Sequence, residues 1–355
     1  MSALYQRSVE IILANQAPTG AYIASPNFPT YHYSWFRDGT YIAYAMDIVG
    51  EHESARRFHD WGASIIAARA GLIGRALGRR ERKERLACQD YLHTRYTLDG
   101  RETSESWPSF QLDGFGTWLW GVNQHLVLTG LDALPPKWRE AMELLAPYLA
   151  ALWDYPSYDQ WEEGPDRIHV YTLVALYGGL QAAARLLSRP EWDDTAKTIR
   201  DFVLASGIVD GHLVKDIGTD AVDGALVAAA TPYRMFAPAD PLMLATAARV
   251  EAQLRREDGG VHRYAEDTFY GGGEWTLLTA WLGWYYAEVG QPARARELLS
   301  WAEAQANERG ELPEQVPQSL NDPDSYQPWV ERWGPVAQPL LWSHAKHLIL
   351  RSVLE

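Results

Sequence analysis

The chain has 355 residues, 47% of them hydrophobic, and a formal net charge of −14 at pH 7. That acidity argues against nucleic acid and anionic membrane as partners, since both would repel it. No run of eighteen or more apolar residues marks a membrane-spanning helix. The single Cys88 excludes an internal disulfide and fits a reducing compartment. The polar, amphipathic N-terminus lacks the apolar core of a signal peptide, so a cytoplasmic location is expected.

Apolar spacing is helical almost throughout. In chain order the predicted helices are Ala3–Asn15, Gly39–Val49, Glu53–Gly71, Gly114–Thr129, Pro136–Trp153 and Ile168–Leu187. Asp193–Ala205, a weaker Asp220–Ala229, Pro241–Leu254, Glu274–Val289, Pro292–Ala306 and Gln338–Leu354 complete twelve. A short strand is expected near Gly211-His-Leu-Val-Lys215. Leu86–Glu105 reads as an irregular excursion and Val316–Ala337 as a long loop. Arg79-Arg-Glu-Arg-Lys-Glu-Arg85 reads as a solvated helix end or loop. No linker or low-complexity segment breaks the chain, so residues 1–355 are expected to form one domain.

Motifs rich in aromatic, charged and glycine residues precede every second helix. Tyr31–Gly39 comes before the second, Trp107–Gly114 before the fourth, and Tyr158–Glu163 before the sixth. Val222-Asp-Gly224 lies near the start of the eighth. His262–Glu274 comes before the tenth, and Glu311–Gln315 leads toward the twelfth. Alternate helices would then point their N-terminal ends at one place, as six inner helices within six outer ones do. The periodicity predicts an all-α protein; the alternation predicts an (α/α)6 barrel. Helix N-terminal ends also offer free backbone N–H groups to ligand oxygens.

The chemistry concentrates in two glutamates far apart in sequence: Glu162, after Tyr158-Asp-Gln-Trp161, and Glu314, in Glu311-Leu-Pro-Glu-Gln315. Two carboxyls on opposite walls of an aromatic cleft can cleave a glycosidic bond. One protonates the leaving oxygen and the other activates water. The acid must then be protonated near neutral pH and the base ionised. With 16 Trp and 19 Tyr against 8 Phe, the aromatics favour rings with a polar handle. Such rings stack on a pyranose and bond its hydroxyls.

Each motif also has a plainer reading. Asp38 can cap a helix with Arg37 pairing locally, or Trp35, Arg37 and Asp38 can clamp a sugar; the clamp is favoured. Glu162 and Glu163 can be two solvated acids of a first helical turn. Beside Trp161 they can instead divide acid and hydroxyl-binding work. In His262–Trp275, Arg263 can bridge Glu266 or Asp267 in a structural turn, or the segment can meet a ligand. His344 and His347 can share a helix face, but no third ligand has suitable spacing, so no catalytic metal is expected.

Taken together, these motifs resemble glycoside hydrolase family 15, the glucoamylases, glucodextranases and their relatives, along nearly the whole chain. The small size and the opening Gln16–Thr30 are most similar to its bacterial isomaltose glucohydrolases. The resemblance implies inverting hydrolysis without a cofactor, with a small neutral oligosaccharide as substrate. It implies Glu162 as general acid and Glu314 as base. It implies a glucose clamp at Trp35, Arg37, Asp38 and Arg263, a stacking Trp107, Tyr31 near the attacking water, and Glu163 on a substrate hydroxyl. Trp161 and Trp275 complete the expected substrate-binding set. A trehalase or an α-1,4-specific glucoamylase would share the catalytic residues. Outside the class, a non-catalytic sugar-binding protein has no need of both glutamates, and a sugar isomerase would require a histidine such as His344 at the reacting carbon.

Overall fold

The computed structural model describes residues 3–103 and 106–355. Thirteen α-helices occupy the described residues: α1 (Ala3–Ala14), α2 (Phe36–Ile48), α3 (His52–Ala67), α4 (Ala70–Glu81), α5 (Asp113–Thr129), α6 (Pro136–Leu152), α7 (Val170–Leu187), α8 (Pro190–Ser206), α9 (Pro241–Leu254), α10 (Thr276–Glu288), α11 (Pro292–Ala304), α12 (Pro323–Trp333) and α13 (Leu341–Leu354). A 3-10 segment at Gly224–Ala229 stands where the weak eighth helix was expected.

A ring closes through side-by-side packing. Helix α2 meets α5, α5 meets α7, and α7 meets the 224–229 segment. That segment meets α10, α10 meets α13, and α13 returns to α2. Helices α1, α3, α6, α8, α9 and α11 pack outside it. This is the (α/α)6 barrel, with its fourth inner helix reduced to 3-10 geometry. Pro232, which has no N–H to donate and disfavours a helical residue before it, limits how far the run from Gly224 can extend.

The inner helices are buried on nearly every side, as helices apolar all round must be; in α10, Thr276 through Tyr286 are all buried. Helix α7 is apolar and long enough to cross a bilayer by composition alone, but 78% of it is buried within the ring. Two glycines set its approach to α5. A Cβ on Gly179 would meet the Gly116 carbonyl oxygen at 2.3 Å, and one on Gly116 would meet that of Ala175 at 2.6 Å. No side chain fits at that crossing.

Some expectations change. The predicted loop 316–337 contains α12, a short helix with an internal Pro328 and only half-buried contacts, through Tyr326, Trp329 and Val330. The third predicted helix stops at Ala67, and a separate α4 carries Arg79 and Arg80 at its solvated end. The single strand near 211 is half of a hairpin, Ile208–Val209 (β3) against His212–Leu213 (β4). Within the excursion 86–105, Arg95–Tyr96 (β2) pairs with Ser34–Trp35 (β1), and its last two residues lie outside the described residues. Glu274–Trp275 (β5) pairs with Gln315–Val316 (β6), fixing the chain on either side of Glu314.

Candidate active site

All eleven expected site residues line one cavity of about 470 Å³ at the N-terminal ends of the inner helices. Glu162 sits in a tight turn. The Asp159 carboxylate accepts from the Trp161 and Glu163 N–H groups at 2.8 and 2.9 Å, and Lys215 pairs with its other oxygen. The turn holds Glu162 at φ 71°, a left-handed conformation uncommon outside glycine. Its Oε1 accepts three hydrogen bonds, from Trp35 Nε1 and Trp107 Nε1 at 2.9 Å each and from Gln111 Nε2 at 3.1 Å. With Oε1 so engaged, a proton on this carboxyl belongs on Oε2. Arg95 lies 3.5 Å from the Trp107 ring centroid and steadies that indole.

Glu314 is held differently. Its backbone N–H donates to Ala337 O at 2.9 Å, and its carbonyl accepts from Thr276 N–H at 3.1 Å. Its Oε1 accepts from the Tyr31 hydroxyl at 3.0 Å. Burial pushes this carboxyl up to about 8, against the pull of Tyr31 and Arg263. The expectation of a base ionised by its surroundings therefore fails for the unliganded site: Glu314 is 4% exposed, and one hydroxyl does not replace the lost water.

The clamp side is deep. Arg37 donates to Gln111 Oε1 at 2.9 Å and Asp113 Oδ2 at 3.2 Å, and lies 3.4 Å from Asp38. Burial raises Asp38 to about 6. Arg263 forms a two-pronged pair with Asp267, and Asp267 is itself pinned by the Phe269 N–H at 2.9 Å. Local pairing and a cavity position thus hold together for Arg37 and for Arg263. Glu163 receives the Tyr264 hydroxyl and an Arg263 N–H. Trp161 donates to Asp223 at 2.7 Å and packs 5.2 Å from Trp275. The indole N–H groups of Trp275 and Trp342 have no protein acceptor, nor has Gln160 Oε1 a donor. All three belong to lining residues and are matched to a ligand rich in hydroxyls.

Several lining residues were not among the expected site residues: Gln160, Trp342, Phe269 and, from α12, Trp329, Arg332 and Trp333. Trp342 opens the last inner helix, so the alternation rule pointed at it. Gln111 and Asp113 lie inside the Trp107–Gly114 motif, but their partners are distant in sequence.

The histidines of α13 are used elsewhere. His344 Nε2 accepts from the Leu312 N–H at 3.0 Å and Nδ1 bonds Ser8 at 2.9 Å. His347 reaches Ser8 and Glu303. His344 is absent from the cavity lining, which removes the isomerase reading. Among the described residues Asp47, His59 and His125 bring potential ligand atoms within 4.8 Å of one another. Asp47 lies at the far end of α2, His125 in the second half of α5 and His59 in α3, and Asp47 already bonds His52 and His125.

A ring of inner helices whose ends enclose two carboxyls, a paired-arginine floor and unsatisfied indole N–H groups defines a glycoside hydrolase of the (α/α)6 kind. The chain belongs to the glycosyl hydrolases family 15, whose model matches residues 1–307, ending just before Glu314. It is 45% identical to the isomaltose glucohydrolase of Kribbella flavida over 359 residues, 99% of this chain and 92% of that one. A wild-type glycosidase structure matches at a TM-score of 0.94 with 44% identity, over 99% of this chain and 96% of that one. Trehalase 2 of Sulfolobus acidocaldarius is 26% identical over 83% of this chain, which spans 55% of that protein. The protein is therefore an oligosaccharide-cleaving enzyme.

Proposed function

We propose that residues 1–355 act as one catalytic domain that releases β-glucose from the non-reducing end of isomaltose and short α-1,6-linked oligosaccharides. Glu162 is the general acid and Glu314 the base. One observation carries this reading: both carboxyls face the cavity that also holds Arg37, Asp38 and Arg263. The terminal glucose enters first and is gripped by Asp38 and the arginines, with Trp161, Trp275 and Trp342 around its ring. Glu162 Oε2–H protonates the glycosidic oxygen as the bond to the anomeric carbon breaks. Ionised Glu314 takes a proton from water, whose oxygen attacks the opposite face of the sugar. The departing sugar carries the proton of Glu162, and the new hydroxyl inverts the anomeric centre.

The preference for α-1,6 linkage is supported by the similarity to the Kribbella flavida isomaltose glucohydrolase across almost the whole chain. The trehalase relatives are fainter, at 24–28% identity. Proton NMR of isomaltose during early turnover should show the β-anomeric signal of glucose before mutarotation. The reducing-end glucose of isomaltose is released as its equilibrium anomer mixture, so the reading is the excess over that mixture: an excess of β supports inversion and an excess of α would refute it. Cleavage of trehalose but not isomaltose, in a panel that also holds maltose and nigerose, would replace the linkage assignment.

A further inference from the structure

Helix α12 stands at the cavity mouth and buries none of its residues, yet Trp329, Arg332 and Trp333 all line the cavity. It rests on the turn Phe269–Gly271. Phe269 meets the Trp329 ring edge-on at 5.0 Å, and Tyr270 stacks on it at 6.0 Å. The Tyr270 hydroxyl donates to the Gly334 carbonyl at 2.9 Å, just past the end of the helix. This packing fixes Trp329. Trp333 is left 38% exposed, a large apolar ring at the opening of a polar site.

Arg332 lies over both indoles, 5.9 Å from the Trp329 ring centroid and 5.0 Å from that of Trp333. Among the described residues no carboxylate or carbonyl accepts from it. Arg332 is exposed, and the two rings rather than a carboxylate position its guanidinium at the cavity mouth. Its N–H donors remain available to a ligand.

Depth indicates which part of a substrate would meet them. Arg37 and Arg263 are 4% and 3% exposed, so the clamped glucose lies at the inner end. The bond to be broken lies beside Glu162 and Glu314, and the sugar beyond it extends toward the mouth. We infer that Trp333 and Arg332, seated on Trp329, form the platform for the leaving sugar. The indole takes the apolar face of the pyranose and the guanidinium takes its hydroxyls. The platform makes these three residues determinants of how well the enzyme uses a sugar, rather than a small group, as leaving partner. This rests on the glucosidase reading above.

The test compares two substrates: isomaltose, whose leaving group is a sugar, and α-glucosyl fluoride, whose leaving group cannot reach the platform. The quantity read is the ratio of kcat/KM for isomaltose to that for the fluoride. Trp333→Ala and Arg332→Ala should each lower this ratio about tenfold, the range of one aromatic or charged contact. The isomaltose loss should appear mainly in KM. Trp333→Phe, which keeps a ring, should recover most of the ratio. Equal losses on both substrates would overturn the platform, because the residues would then act on the clamped glucose or on the fold. A ratio unaltered in both alanine variants would overturn it too. The unsubstituted enzyme's own turnover of isomaltose reports separately on the glucosidase reading.

Discussion

Glu162 and Glu314 face one cavity and are held in opposite ways. Glu162 is half-buried, carried on a turn with left-handed backbone, and fastened through one oxygen by three N–H donors. Glu314 is almost wholly buried, fastened through its backbone, and has one hydroxyl on its carboxyl. The first arrangement dictates which oxygen carries a proton. The second governs whether a proton is there at all. Orientation on one wall is achieved by hydrogen bonds, and proton affinity on the other is set by the loss of water.

The largest effects should come from removing either group. Glu162→Gln and Glu314→Gln should each lower kcat on isomaltose by about a thousandfold or more. The two should part company on α-glucosyl fluoride, which needs little protonation to leave. There Glu162→Gln should recover much of its rate and Glu314→Gln should not. Equal behaviour of both variants on the fluoride would erase the division of roles.

Smaller changes address the fastenings. Trp107→Phe keeps a ring but removes one of three donors to Glu162 Oε1, and kcat should drop about tenfold, as expected for a hydrogen bond to the carboxylate that forms as Glu162 gives up its proton. Steady-state rates on isomaltose suffice to check this, and an unaltered kcat would show the remaining two donors to be enough.

On the other wall, the value of about 8 for Glu314 means that kcat/KM should rise with pH through that region as the base ionises. The Tyr31 hydroxyl favours the ionised form, so Tyr31→Phe should move this limb to higher pH and cost several-fold more activity at pH 6 than at pH 9. A limb that stays in place would show that another group sets it.

The smallest expected effect concerns stability. The folded value for Glu314, about 8, lies above the ordinary 4.5. The stability available with a protonated carboxyl is therefore fully present below 4.5 and is lost as pH rises through 8. Glu314→Gln stays neutral at every pH. Its melting temperature should match the parent's near pH 4 and exceed it by a few degrees near pH 8. Thermal unfolding at the two pH values measures this, and a gain of equal size at both would point to packing rather than charge.

Much of this was legible before any coordinates. The 3.6-residue period revealed the twelve barrel positions, the placement of motifs before alternate helices pointed to one end of the barrel, and the family resemblance picked out the eleven residues that line the cavity there. What stayed hidden has physical causes. Helix α12 has an apolar stripe of Tyr326, Trp329, Val330 and Trp333, but it spans only two turns and is interrupted by Pro328, so its three cavity residues read as loop. Gln111 bonds both Glu162 and Arg37, a role defined only by partners in other segments. The proton affinity of Glu314 depends on how completely neighbours exclude water, and the tetrad Glu-Leu-Pro-Glu does not encode that.

The ring has a seam where the last helix, α13, returns to α2, and the site straddles it. Arg37, in the first turn of α2, lies 5.4 Å from the ring of Trp342, in the first turn of α13. These two residues are separated by most of the polypeptide. Ribosomal synthesis therefore delivers this piece of the pocket late, and a chain without α13 has no complete place to seat a sugar. Turnover therefore reports that the two chain ends have come together, which a helical signal alone does not.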